Sequence, residues 1–226
     1  MEERKFHKLI THIKKEIKSG ELKNGSQIDP ERILAENLNI GRSSIREGIK
    51  ILEIIGLIES KRGGGNYITH DFKNMLCNPL SLAFELQQGK TRDVIELRKM
   101  LELSNVEFMI KRVTAEEIKQ VEIIYDKMID CNGLEELANL DKDFHLLMIS
   151  FSKNILLTTI ISAISELLET SMIASRNMVL EKFGKRQIDF DHKMILEALK
   201  NRDEEGLRNS LNIHFDNIDK SIENID

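Results

Sequence analysis

Asp141, His145, His192 and His214 are the residues of this chain whose types and spacing could do chemistry together. Asp141 and His145 lie four apart in the stretch LANLDKDFHLLMIS, which as a helix projects both side chains from one face, one turn apart. His192 and His214 flank a helix–helix turn at Asn201-Arg202-Asp203, ten residues before and twelve after Arg202. In an antiparallel hairpin their imidazoles would lie almost level. One carboxylate and three imidazoles suit a divalent transition metal, zinc first, with nickel, cobalt or iron also served by such a set. A lone histidine on a helix is more often a hydrogen-bonded core residue, and a pair four apart arises readily by chance. The level placement of His192 and His214 is what favours the metal.

These residues need helices to hold them. The chain has 226 residues with two prolines and no tryptophan, and long stretches of Leu, Ile, Glu and Lys favour helix. The periodicity predicts helices over roughly 91–112, 114–130, 134–151, 155–181, 184–200 and 203–223. They are separated by Asn132-Gly133, Ser152-Lys153-Asn154, Gly184 and Asn201-Arg202-Asp203. Six or seven amphipathic helices on short connections predict an antiparallel bundle over 91–226. Residues 73–90 read as a connector with a short helix begun at Asn78-Pro79. The composition is that of a soluble globular protein, and no run approaches the roughly 18 apolar residues of a membrane span. The charged start, MEERKFHKLITHIKKEIKSG, has no signal-peptide core, so a cytoplasmic location is expected. Cys77 and Cys131 suggest no disulfide framework and read as small apolar residues.

Residues 1–72 have a different organisation. Phe6, Leu9, Ile10, Ile13 and Ile17 repeat at helical spacing before Gly20. Asp29 reads as an N-cap, with Pro30 at the first position of a short second helix ending near Leu38. The turn Asn39-Ile40-Gly41 leads into a third helix from Arg42 to Ile55, with Ile45, Ile49, Leu52 and Ile55 facing a core. Two β-prone runs, Leu57–Lys61 and Asn66–Thr69, follow around Arg62-Gly63-Gly64-Gly65, a flexible hairpin tip. Three helices and a hairpin make a winged helix-turn-helix. Arg42, Ser43 and Ser44 at the start of the third helix, with Arg46 just beyond and Arg32 on the second, suit phosphate and base-edge contacts. Lys61 and Arg62 give the wing positive charge. The net charge of −5 divides into +2 for residues 1–72 and −7 for the rest, which permits a basic face at the N-terminus.

The run DPERILAENLNIGRSSIREGIKILEIIGLIESKRGGGNYIT resembles the DNA-binding signature of the GntR family of bacterial transcription regulators. The segments NPLSLAFEL, VIELRKMLE and DKDFHLLMI followed by SKN resemble its FadR-type subgroup, which carries an all-helical FCD ligand-binding domain. The resemblance spans Lys5 to about Asp219. It implies a homodimer that binds a palindromic double-stranded operator and changes affinity when a small metabolite binds. It points to Arg32, Arg42, Arg46 and Gly65 as DNA contacts. It also supports the metal set, since many FCD domains place an aspartate and three histidines in this pattern. Four positions depart from the family's pattern. Gly41 stands at a usual serine cap, Ser44 replaces a common proline, and Gly48 replaces a common alanine. A fourth, Gly64, stands where the wing tip often has an arginine.

Four protein ligands leave positions open on a five- or six-coordinate ion for a small carboxylate or hydroxy-acid effector. Arg98 is the natural partner for the effector's other anionic end, with Arg176 a second candidate. The alternative for Arg98 is a surface pair with Glu102 four residues on, and for Asn154, which stands at the family's SKN position, the alternative is a cap on the following helix. The expected function is a metabolite-responsive regulator, most often a repressor in such a family. Two alternatives compete with it. A metal-dependent enzyme lacks a nucleophile motif, and Asp143 is the nearest general base. A purely structural metal would staple the bundle and leave it indifferent to metabolites.

Overall fold

The computed structural model describes residues 6–61, 63–69, 72–167 and 177–222, without the side chains of residues 72–75 and 78. The fold is mainly α, a winged helix-turn-helix followed by a helical bundle, and the chain divides into two compact units, residues 1–79 and 80–226.

In the first unit, α1 (Phe6–Ser19), α2 (Glu31–Leu38) and α3 (Arg42–Ile54) precede an antiparallel hairpin of β1 (Ile58–Lys61) and β2 (Gly65–Ile68). Ile58 pairs with Ile68 and Lys61 with Gly65. Leu9 and Ile13 of α1, Leu34 of α2, Ile45, Ile49 and Leu52 of α3, and Ile58 and Ile68 of the hairpin form one core. Ile55, expected in that core, is 38% exposed because the helix has ended and the 3.6-residue period no longer applies. The start of α2 also shifts by one residue. Pro30 is the cap, its carbonyl accepting from Leu34 N–H, and Glu31 is the first helical residue. Asn39, left-handed at φ 51°, reverses the chain between α2 and α3, a role that asparagine fills at small cost.

Gly48 allows α1 to approach α3. A Cβ there would stand 2.8 Å from Leu9 Cδ2 and 3.4 Å from Phe6 Cβ, which accounts for glycine in place of alanine.

The connector helix is longer than the Asn-Pro start signal suggested. It is α4 (Phe72–Leu86), and Pro79 lies inside it rather than at its beginning. Pro79 lacks one N–H but its φ suits a helix, so turns on both sides can propagate through it.

The second unit contains α5 (Thr91–Arg112), α6 (Ala115–Asp130), α7 (Leu134–Ser150), α8 (Ile155–Leu167), a helical stretch α9 described over 177–183, α10 (Lys185–Lys200) and α11 (Glu204–Ile222). The predicted helix 155–181 is seen as α8 and part of α9, the residues between lying outside those described. The core draws Val106 and Met109 from α5, Val121 and Met128 from α6, and Phe144 and Met148 from α7. Ile195 and Leu199 of α10 and Leu211 and Phe215 of α11 complete it. Side-chain caps fix several ends. Thr114 and Glu117 form a reciprocal capping box on α6, and Asn154 Oδ1 accepts from Leu156 and Leu157 N–H at the start of α8. Among the described residues no helix is long and apolar enough to cross a membrane.

Candidate metal centre and nucleic-acid interface

Asp141, His145, His192 and His214 are all buried, and one donor atom from each lies within 4.8 Å of every other. Asp141 and His145 come from one face of α7, His192 from α10 and His214 from α11. The turn at Asn201–Asp203 brings the His192 and His214 rings to 4.8 Å between centroids, and the packing of α7 against the hairpin brings the His145 and His214 rings to 4.9 Å. A single ion with bonds of about 2.1 Å spans about 4 Å between opposite ligands, so the group has the right size.

The protonation pattern also fits a cation. His192 Nδ1 lies 2.8 Å from the Ile188 carbonyl, which can only accept, so Nδ1 carries the proton. In the neutral ring Nε2 then presents a lone pair, and it faces Asp141 Oδ1 at 2.9 Å. Two acceptors at that distance require a proton shared between them, on the ring or on the carboxyl, or a cation that both ligate. His145 repeats the pattern. Its Nδ1 is 2.6 Å from Glu102 Oε2, while its buried Nε2 has no hydrogen-bond partner and lies 3.8 Å from Asp141 Oδ1. Burial pushes the His145 imidazole down to about 4 against the pull of Glu102. Burial would raise the Glu102 carboxyl, yet His145 and Arg98 hold it down at about 2. An ionised Glu102 therefore accepts from Nδ1–H of a neutral His145, the tautomer that leaves Nε2 available as a ligand. The residues fit a divalent transition metal.

Arg98 sits beside this group. Its Nε donates to Glu102 Oε1 at 2.7 Å, its Nη1 is 3.8 Å from Asp141 Oδ2, and its guanidinium stands 5.6 Å from the centroid of the Phe215 ring. The Arg98–Glu102 pair forms, but in the interior rather than on the surface, with the two side chains 7% and 1% exposed. Arg98 Nη2 is buried without a hydrogen-bond partner. Arg176 lies outside the described residues. Asp143, the nearest general base for an enzymatic reading, is exposed.

Glu102 is the residue that sequence reasoning undervalued. Its signal was present in α5, where Arg98, Glu102 and Asn105 fall in phase with the buried Val94 and Met109. On the same helix the apolar Leu97, Met100 and Phe108 are exposed. Polar residues on the inward stripe of a helix mark a site rather than a surface.

In the first unit, Arg42, Ser43 and Arg46 are exposed and Ser44 half-buried at the start of α3, whose cap is Gly41 with no side-chain bond. The first N–H groups of α3 are thus not occupied by a cap side chain. Arg32 is exposed and donates through Nη1 to Glu36. Arg46 forks onto Glu31, a partner that the spacing did not suggest. The hairpin tip, expected to be flexible, is tied. Gln27 Nε2 and Tyr67 Oη both donate to the Gly64 carbonyl at 2.8 Å, and Lys61 Nζ lies 4.8 Å from the centroid of the Tyr67 ring. Gly65 adopts φ +93°, a conformation that calls for glycine, and a Cβ there would stand 2.5 Å from Gln27 Nε2 and displace that amide from the Gly64 carbonyl. Arg62 lies outside the described residues.

Residues 7–68 match the family described as bacterial regulatory proteins, gntR family, and residues 93–217 match the FCD domain. The chain is 31% identical over 188 residues to the HTH-type transcriptional regulator LutR of Bacillus subtilis, covering 81% of this chain and 85% of that one. It is 27% identical over 221 residues to the Glc operon transcriptional activator of Escherichia coli K12, covering 95% and 87%. The solved structure titled Streptococcus agalactiae GntR shares the fold, with a TM-score of 0.75 at 24% identity over 96% of this chain and 98% of that one. These relatives are transcription regulators, not enzymes. The four clustered residues and Arg98 all fall within the FCD match. The chain belongs to the GntR family of bacterial transcription regulators, and its helical half is an FCD domain.

Proposed function

We propose that this regulator is a cytoplasmic repressor, a homodimer on a palindromic operator, whose DNA affinity falls when a small carboxylate or hydroxy acid binds beside a metal held by Asp141, His145, His192 and His214. Zinc is the first choice of metal. The observation that carries the reading is the facing of His192 Nε2 and Asp141 Oδ1 at 2.9 Å, beside a His145 Nε2 that has no hydrogen-bond partner.

When bound, a divalent ion supplies a Lewis-acidic centre and turns the formal charge of Asp141, Glu102 and Arg98 from −1 to +1, attractive to a carboxylate. Glu102 orients both the His145 ring and the Arg98 guanidinium. Arg98 offers Nη2 to the acid's second oxygen, in a water-poor setting where a charge-assisted hydrogen bond is strong. In the first unit Arg42 and Arg46 read base edges. Arg32, Ser43, Ser44, Lys61, Arg62 and the Gly65 backbone hold the phosphates and the wing.

An effector lowers operator affinity only as far as it prefers the DNA-free arrangement. A relative named as an activator favours a second reading, in which the effector prefers the DNA-competent arrangement.

The test is a thermal-shift screen of small organic acids on metal-loaded and metal-stripped protein, followed by duplex binding with and without each hit. Stabilisation by an acid in the loaded form alone, with a change in DNA affinity, is the expected result. An intact metal with no acid-specific shift would assign it to structure instead.

A further inference from the structure

Arg46 is exposed, with 63% of its side-chain surface accessible, yet it is held in one orientation. Its Nε lies 3.2 Å from both Glu31 oxygens and its Nη2 lies 2.8 Å from Oε2. Glu31 is the first residue of α2, fifteen positions before Arg46, so the contact bridges the two helices of the reading motif. The carboxylate occupies one edge of the guanidinium, Nε with Nη2. The opposite edge, Nη1 with Nη2, remains for a second fork. The Arg32–Glu36 pair is different. It is a contact within one helix, made through Nη1 alone, with both side chains about equally exposed.

Two physical consequences follow from the Glu31 contact. An exposed arginine ordered at an interface gives up rotamer freedom, and one already clamped has less to lose. A carboxylate beside a DNA-facing arginine also repels phosphates. It is compensated while Arg46 keeps one edge on it, and is left unpaired near the DNA backbone if Arg46 turns to a phosphate. A guanine that takes the free edge through O6 and N7 permits both contacts at once.

We propose that Glu31 is a specificity-determining residue of the DNA interface. By holding the Nε/Nη2 edge of Arg46 it commits the guanidinium to end-on reading of a guanine, and its charge disfavours contacts made to phosphate alone. The proposal rests on the reading of Arg46 as a base-contacting residue.

The experiment is selection from a randomised DNA duplex pool with the full chain, followed by titration of the selected duplex and of a mixed-sequence duplex. The variants are Glu31→Ala, Arg46→Ala and, as a charge control exposed on α3, Glu47→Gln. Wild type is expected to select a guanine at one position of each half-site, and Arg46→Ala to lose that preference. Glu31→Ala should blur the same position and lower the selected-to-mixed affinity ratio about tenfold, largely by tightening mixed-sequence binding. Glu47→Gln should tighten both duplexes alike and leave the ratio unchanged. If Glu31→Ala melts early, Glu31→Asp takes its place, keeping the charge but one methylene short of the fork, with base preference as the readout. An unaltered motif and ratio in the Glu31 variant, with the guanine lost in Arg46→Ala, overturns the proposal and leaves Arg46 as a reader. An unaltered motif in Arg46→Ala removes both.

Discussion

Glu102 Oε2 and His145 Nδ1 stand 2.6 Å apart, linking α5 to α7 across 43 residues of chain. The same carboxylate takes Arg98 Nε on its other oxygen. One buried acid therefore sets both the tautomer of a metal-ligand candidate and the position of an anion-binding candidate.

Glu102→Gln keeps the volume and removes the charge. It is expected to weaken zinc binding on the order of 10- to 100-fold, as loss of the group orienting a ligating histidine does. It should also destabilise the chain by about 3 kcal/mol, since the buried Arg98 loses its hydrogen-bonded counter-charge and keeps only the looser Asp141 contact at 3.8 Å. Zinc competition titration and denaturant unfolding of the metal-free protein measure the two effects separately. Wild-type zinc affinity in a folded variant would detach Glu102 from the centre.

His192→Ala combined with His214→Ala is expected to take zinc from about one ion per chain to a trace, because two remaining donors cannot hold an ion tightly. Elemental analysis of the purified protein reads this directly. Full retention would remove both histidines from the ligand set.

Metal removal by a chelator should lower the melting temperature of wild type and leave that of the double histidine variant unchanged. Saturation at about a hundred times the dissociation constant stabilises the folded state by about 2.7 kcal/mol. An equal drop in both proteins would mean that the chelator acts elsewhere.

Gln27→Ala should free the wing tip. It removes one of two donors on the Gly64 carbonyl, a net loss of about 1 kcal/mol, and is expected to reduce duplex affinity a few-fold with no change in the selected motif. Loss of motif instead would make the wing a base reader.

Gly48→Ala sets helix propensity against packing. Alanine favours the helix by about 1 kcal/mol, but its Cβ would meet Leu9 Cδ2 at 2.8 Å. Overpacking of this kind costs roughly 1–3 kcal/mol, so a net destabilisation of about 1 kcal/mol is expected in thermal melts. A more stable variant would show that Leu9 yields freely.

The helices of the second half were legible because periodicity and break signals are local. The predicted stretches 91–112, 134–151 and 184–200 correspond to Thr91–Arg112, Leu134–Ser150 and Lys185–Lys200. Asp141 with His145, and His192 with His214, were also legible, since helical spacing and a short turn place those pairs without knowledge of the rest. Local signals misled at Pro79, which reads as a helix start but lies within α4, and at Ile55, which continues a pattern after its helix has ended.

Sequence alone determined the order of elements, the basic start of α3, and the two half-sites on α7 and on the α10–α11 hairpin, because each depends on residues within about one or two helical turns or one connection. Only the tertiary structure decided that the two half-sites share one buried space, and that Arg98 with Glu102 turns inward to meet them. It alone also decided that Glu31 and Gln27 clamp Arg46 and the wing. Those contacts join residues 15 to 51 positions apart. Their partners are chosen by how helices pack, and no local period encodes that choice.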